Sequence, residues 1–369
     1  MGREEQIISE RIKKINELRR EGINPYPNRY EIKNNSSELY EKYKALKSEK
    51  STSDKVRVAG RIMSIRDIGR ITFCVLNDGY GAIQIVLQEK QTPEKIREFF
   101  KKYIDSGDFV GVEGAIFRTK RGELSVLAKK LEILSKSILP LPEKWHGIQD
   151  NEEKLRKRYL DILMNPEIKK MFIKKSKFWQ TIRDFLTDKG FLEIEPPVLE
   201  SSAGGAAATP FATHHNALDM DIYLRISMGE LWQKKLMVAG YPKTFEIGRQ
   251  FRNEGMDADH LQDYTQMEFY WAYASYEDGM KLVQEMYKKI SKDVFGTAKF
   301  ERNGLKFDLS KPWKKIDYSS EIKKQAKIDI YKASRDEIVK KLDELHEEYS
   351  ENHEKWRLVD ALWKHCRRK

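Results

Sequence analysis

The chain has 369 residues, 40% hydrophobic and 34% charged, enough apolar material for folded domains, so whole-chain disorder is excluded. Lys and Arg outnumber Asp and Glu by 69 to 58, a formal charge of +11, which suits a polyanionic partner such as nucleic acid, or a nucleotide substrate. Only Cys74 and Cys366 are present, which excludes a disulfide framework and a cysteine-rich zinc site and fits a reducing compartment. There is no apolar run of about 18 residues and no signal-peptide core, so a soluble, cytoplasmic protein without a membrane partner is expected.

EEQIISERIKKINELRRE, residues 4–21, reads as an amphipathic helix with Ile8, Ile12, Ile15 and Leu18 on its apolar face, stopped by Gly22, Pro25 and Pro27. It belongs to a helical extension expected over residues 1–54, whose basic side is a candidate RNA contact. From Lys55 to Ser137 the period changes to two. VRVAGRIMSI, ITFCVL, AIQIVL, FVGVEGAIF and ELSVLAKKLEIL are five strand-like runs separated at Asp67-Ile68-Gly69, Asn77-Asp78-Gly79 and Lys120-Arg121-Gly122, with a helix from Pro93 to Tyr103 after the third. Five strands with that interruption predict a small barrel of the OB type over residues 55–137, a frequent binder of single-stranded nucleic acid. Leu139-Pro140-Leu141-Pro142 opens an expected linker, residues 138–160.

A second domain, residues 161–369, mixes helices and strands, giving an α+β protein overall. KFWQTIRDFLTDKG places Phe178, Ile182 and Phe185 on one helical face with Gly190 beyond its end, and FLEIEPPVL follows as a strand ended by Pro196-Pro197. Strands are expected at residues 244–252 and 264–273, a long helix from Tyr276 to Lys292, and a charged, mostly helical tail from Asp317 to Lys369. In the strand pair, alternation puts Glu246, Gly248, Gln250 and Arg252 on one face, with Tyr264, Gln266, Glu268 and Tyr270 on the polar face of the second strand. An antiparallel sheet with one wet face gives the same pattern. Here the polar face is rich in aromatics and lacks Lys, which favours a ligand-binding floor.

Elsewhere the signals are negative. His214-His215 are adjacent on a strand, face opposite ways and lack a third ligand. Gly204-Gly205-Ala206-Ala207-Ala208 reads as a mobile loop, since no P-loop, Rossmann glycine pattern or nucleophile elbow occurs. An enzyme built from these residues would work by positioning and charge rather than through a covalent side chain.

FEIGRQFRNEG, the loop to His260, and YTQMEFYWAY resemble motif 2 of the class II aminoacyl-tRNA synthetases, and FWQTIRDFLTDKGFLEIEPPVL resembles motif 1, with Pro197 at that motif's proline. GGAAATPFATHHNALDMDIYLRIS is similar to the lysyl-tRNA synthetases in particular. The resemblance runs from about Ile7 to Tyr287 and implies an OB-type anticodon-binding barrel followed by a class II antiparallel catalytic domain. It further implies ATP-dependent charging of lysine onto tRNA(Lys) through a lysyl-adenylate, by a homodimer joined through residues 172–199, where Phe178, Trp179, Ile182 and Phe185 are expected to contribute. Arg252 would contact the α-phosphate and the amino-acid carboxylate. Glu254 and His260 would hold the adenine and phosphates, and Tyr264 would stack on adenine. Glu230 would take the α-amine, with the Gly205 carbonyl beside it, and Glu268 and Tyr270 would line the lysine pocket. In the barrel, Arg66, Phe73, Gln84 and Glu123 would read the anticodon, Phe73 by stacking.

Two departures from the pattern stand out. Ser227-Met228-Gly229-Glu230 replaces the usual short Pro-Glu run and is one residue longer. Motif 3, the ligands of catalytic Mg²⁺ and the partner of the lysine ε-ammonium have no counterpart before Lys369 and are expected beyond it, so no metal ligand is assigned within the chain. Lys364, Arg367, Arg368 and Lys369 offer no substitute at a fraying end. The resemblance therefore implies an incomplete catalytic domain, with weak activity and poor solubility. A non-catalytic tRNA- or lysine-binding relative is the alternative. Ligation of lysine to a protein is disfavoured by the barrel, and aspartyl or asparaginyl specificity by THHNALDMD and MEFYWAY.

Overall fold

The computed structural model describes residues 2–142, 149–257 and 260–367, so Arg368 and Lys369, offered above as terminal cations, lie outside the described residues. The chain divides into two compact units, Met1–Asn165 and Pro166–Lys369.

The first unit begins with helices α1 (Arg3–Arg20) and α2 (Ser36–Lys42). Strands β1 (Ser51–Asp67), β2 (Ile71–Asn77), β3 (Ala82–Gln88), β4 (Phe109–Arg118) and β5 (Leu124–Ser135) follow, with α3 (Glu94–Tyr103) between β3 and β4. The strands close in the order β1-β2-β3-β5-β4. Closure depends on the 17-residue β1, which pairs with β4 through its first part and with β2 through its last, and bends at a bulge between Ile62 and Ser64. Alternation sends Thr72, Cys74 and Leu76 of β2 inward, where Cys74 joins Val58, Ile62, Ile85, Val112 and Val126 in the barrel core. Each fully buried Val, Ile or Leu there contributes roughly 1.5–3 kcal/mol of burial.

The expected apolar face of α1 is corrected in one place. Ile12 is exposed, while Arg11 is buried alongside Ile15 and Leu18. The Arg11 guanidinium donates to the carbonyls of Ser106, Ser137 and Leu139, which makes a charged side chain tolerable there. Helix α2 was not foreseen. Its signal was Asn35 three residues before Glu38, and the Asn35 side chain does accept from the Glu38 amide. After the prolines, Asn151–Arg156 (α4) and Arg158–Met164 (α5) are helical and belong to this unit.

The second unit contains α6 (Pro166–Asp188), β6 (Leu192–Glu193), β7 (Leu199–Glu200), β8 (Ala212–His215), β9 (Met220–Leu224), α7 (Glu230–Val238), β10 (Lys243–Phe251), β11 (Asp263–Trp271) and α8 (Tyr276–Ile290). A π-helical turn, Ser291–Phe295, a hairpin of β12 (Lys299–Arg302) and β13 (Leu305–Asp308), and helices α9 (Tyr318–Ala326), α10 (Arg335–Glu344) and α11 (Lys355–Cys366) complete it. Strands β11-β10-β6 form one sheet and β7-β9-β8 another. Helices α6 and α8 cover the apolar face of β10 and β11, burying Ile182, Phe185, Leu186, Leu282, Met286 and Ile290 against Phe245.

That packing corrects two expectations. The strand expected in FLEIEPPVL is much shorter than read: Leu192 and Glu193 pair in parallel with β10, the strand stops before the prolines, and Leu199 and Glu200 beyond them pair with β9. Ile182 and Phe185 are core, with Phe178 and Trp179 packed against it, so this face is consumed within the unit instead of being spare apolar surface. The charged tail has a core of its own, in which Ile322, Ile338, Leu342, Leu358, Val359 and Leu362 meet between α9, α10 and α11. Among the described residues, no helix is long and apolar enough to cross a membrane.

Candidate active site and nucleic-acid interface

Strands β10 and β11 pair in antiparallel register with Thr244 opposite Tyr270, Glu246 opposite Glu268, Gly248 opposite Gln266 and Gln250 opposite Tyr264. The polar face foreseen from alternation is therefore continuous across the hairpin. It is more deeply buried than a wet sheet face: Thr244, Glu246 and Gln250 are all buried.

The reason is Arg225, which the sequence reading missed. It lies just past β9, only 3% exposed, and pairs with the Glu246 carboxylate. Its Nε donates to the Arg249 carbonyl at 2.8 Å, and its own carbonyl accepts from the Phe251 amide at 3.1 Å. Gly248 makes room: a Cβ there would stand 2.6 Å from the Arg225 guanidinium. Burial pushes the Glu246 carboxyl up despite the arginine, and its Oε2 has no hydrogen-bond partner among the described residues.

Beside this pair the predicted amine-binding residues converge. Gly229 in left-handed conformation starts α7 and places Glu230 in its first turn. Gly205 has φ +87°, and a Cβ on it would overlap Ser227 Oγ and lie 2.7 Å from Glu230 Oε2, so only glycine fits. The Gly204-Gly205 loop thus passes close to Glu230, and Ser227 Oγ donates to the Gly204 carbonyl at 2.8 Å. Glu268 accepts from the Met228 amide at 3.2 Å and from the Gln266 side chain. Burial raises the Glu268 carboxyl above its ordinary range. Tyr270 is raised too, first by burial and then by the Glu230 charge. A partly buried group of carboxylates of this kind suits a cationic ligand. Glu230 is paired meanwhile with Lys234, at 2.5 Å.

Arg252 follows β10 and is half-buried. Its Nε approaches the Ile226 carbonyl at 3.4 Å, and its guanidinium lies 5.7 Å from the centre of the Tyr264 ring. The Arg252 amide donates to the Gln262 carbonyl, and Gln262 Nε2 donates to the Glu254 carbonyl at 3.0 Å. Glu254 in turn accepts from the Thr209 amide at 3.3 Å. His260 is exposed and paired with Asp257 at 2.7 Å, so its side chain is not joined to this group. His214 is likewise exposed, with Asp219 and Asp221 as partners. Among the described residues no three His, Cys, Asp or Glu side chains are grouped to hold a metal ion.

In the barrel, Arg66 pairs with Phe73 in register, and Gln84 pairs with Val75 on β2 and Ser125 on β5. Arg66, Phe73 and Gln84 accordingly share the outer face, where Phe73 is half-buried and Arg66 exposed. Gln84 Oε1 accepts from Ser125 Oγ at 2.9 Å, and Glu123, just before β5, accepts from Tyr40 Oη at 2.7 Å. Basic, aromatic and amide groups on one barrel face make a surface on which splayed bases can stack and bond.

An OB-type barrel carried on the same chain as a helix-backed antiparallel hairpin is the architecture that the class II tRNA synthetase resemblance implies. The tRNA synthetases class II (D, K and N) match residues 150–361, and the OB-fold nucleic acid binding domain matches residues 56–134. The lysine–tRNA ligase of Fervidobacterium nodosum is 41% identical over 353 residues, covering 96% of this chain and 69% of its own length. Those of Thermosipho melanesiensis and Pelotomaculum thermopropionicum are 40% and 43% identical, covering 97% and 89% of this chain and 71% and 64% of their own lengths. The chain belongs to the lysine–tRNA ligase family.

Proposed function

We propose that the chain attaches lysine to tRNA(Lys) with ATP as substrate. A lysine carboxylate oxygen attacks the α-phosphorus, pyrophosphate leaves, and a hydroxyl of the tRNA 3′-terminal ribose then takes the lysyl group and releases AMP. The observation that carries this reading is the placement of Arg252 over Tyr264 on the same hairpin face as Glu268 and Tyr270. Arg252 bridges carboxylate and α-phosphate, where its fork offsets charge as the oxygen attacks. Tyr264 stacks on adenine, while Glu254 and His260 hold the adenine and phosphates, His260 after leaving Asp257. Glu230 and the Gly205 carbonyl take the α-amine, and Glu268 and Tyr270 line the side-chain pocket. A cytoplasmic location belongs to the same proposal.

Lysine-stimulated ATP–pyrophosphate exchange and tRNA(Lys) lysylation by the full chain test the proposal. Binding of lysine and tRNA(Lys) with no exchange would replace it with a binding role. Stimulation by aspartate or asparagine in place of lysine would overturn the specificity.

The anticodon face belongs to the same reading, with Arg66, Phe73, Gln84 and Glu123 as base contacts. Phe73→Ala is expected to weaken binding of a U-rich anticodon stem-loop by roughly 1–3 kcal/mol, the cost of one lost stack. An unchanged affinity in a fluorescence titration would remove Phe73 from the interface.

A homodimer is also proposed, through the region of residues 172–199. With Ile182 and Phe185 committed to the core, the exposed apolar residues left there are Phe172, Ile173, Leu192, Val198 and Leu199. Sedimentation should show a dimer at micromolar concentration, and a monomer would exclude it.

A further inference from the structure

Glu123 does not stand freely on the barrel face. Helix α2 is fixed to the β2–β3 turn, where the Ser36 amide and hydroxyl both donate to Asp78, at 2.5 and 2.8 Å, and Ser36 and Leu39 are fully buried. One turn on, Tyr40 packs its ring against the barrel core and donates its hydroxyl to Glu123 Oε1 at 2.7 Å. Arg118 ties the same two pieces together a second time: its guanidinium donates to the Gly122 carbonyl at 2.7 Å and to the Tyr43 carbonyl, just beyond α2, at 2.9 Å. The Glu123 amide bonds Thr119 Oγ1 at 3.0 Å. Backbone and carboxylate of Glu123 are thus both held, and its Oε2 has no hydrogen-bond partner among the described residues. Burial, followed by Glu123 itself, pushes the Tyr40 hydroxyl up, so that it remains a donor.

We propose that Tyr40 is a positioning residue for base recognition, fixing Glu123 as a one-sided acceptor that selects uracil over cytosine at one anticodon position. The proposal rests on the reading of this face as the anticodon site. A carboxylate accepts and cannot donate. Uracil presents N3–H at the centre of its Watson–Crick edge, whereas cytosine presents a lone pair there and an amine beside it. A carboxylate free to rotate reaches that amine and accepts cytosine as well. One oxygen held by Tyr40 removes that freedom, leaving the other facing the central position, where cytosine meets lone-pair repulsion. Discrimination then comes from excluding the wrong partner.

The test uses the full chain and anticodon stem-loops with three anticodon uridines, or with each replaced singly by cytidine, read by fluorescence anisotropy. In the unsubstituted protein one position is expected to show a clear preference for uracil. Tyr40→Phe keeps the packed ring, and it should reduce that preference roughly tenfold, the size of one hydrogen bond to a charged group. The loss should come mainly from tighter binding of the cytidine probe, which a merely structural defect would not produce. Glu123→Gln should abolish the preference, and Tyr40→Phe should add nothing in that background. A Tyr40→Phe protein with its preference intact overturns the proposal, as does additivity of the two changes. Failure of the unsubstituted protein to bind any stem-loop overturns the anticodon reading itself, a result distinct from both.

Discussion

Arg252→Ala is expected to lower lysine-stimulated ATP–pyrophosphate exchange about 10²–10³-fold, the usual cost of one donor aimed at transition-state charge. Folding should be little affected. The side chain is half-buried, and among the described residues its hydrogen bond to protein is the long contact to the Ile226 carbonyl. Arg252→Lys should rescue little, because an ammonium cannot span a carboxylate and a phosphate as a planar fork does. The loss should appear in kcat at saturating lysine and ATP, with thermal unfolding unchanged. Exchange within tenfold of the unsubstituted protein would show that Arg252 does not face the reacting groups.

Arg225→Ala is expected to cost about 3–5 kcal/mol in the stability of the second unit, because it strands a buried carboxylate without its countercharge. Glu246 is 4% exposed and already raised toward its neutral form by burial. Protonation of Glu246 moderates the loss, so the variant should be more stable at mildly acidic than at neutral pH relative to the unsubstituted protein. The sign follows from the carboxyl: without the arginine its folded-state pKa rises further above the unfolded value, and stability falls as pH rises through that range. Urea unfolding followed by tryptophan emission reads it, since Trp179, Trp232, Trp271, Trp313, Trp356 and Trp363 all lie in this unit. A cost below about 1 kcal/mol would mean that the hairpin is held by its apolar face alone. Exchange activity should fall with stability, since Arg225 holds the Arg249 carbonyl three residues before Arg252.

The strands of the barrel and of the β10–β11 hairpin were legible because alternation is a local signal. A residue's face follows from its parity, so Phe245 and Ile247 toward the helices and Glu246 and Gln250 away from them could be read without a structure. Family motifs pointed to Arg252, Glu230 and Glu268 as candidates, and the structure brings the Gly205 loop, Glu230, Glu268 and Tyr270 close to one another. Local periodicity failed where a charged residue was buried. Arg11 lies on the inner face of α1 because three carbonyls from two distant segments meet it there, and no window of the helix contains them.

By itself the sequence determined the α+β class, the barrel, the antiparallel hairpin and the family, all consequences of short-range periodicity and contiguous motifs. Tertiary structure alone decided that Arg225 neutralises Glu246, 21 residues away, and that Tyr40 grips Glu123, 83 residues away. It also decided that Ile182 and Phe185 face a core instead of a partner. The physical reason is the same in each case. A buried charge or a spare apolar face is defined by what the fold brings opposite it, and that partner has no fixed spacing along the chain.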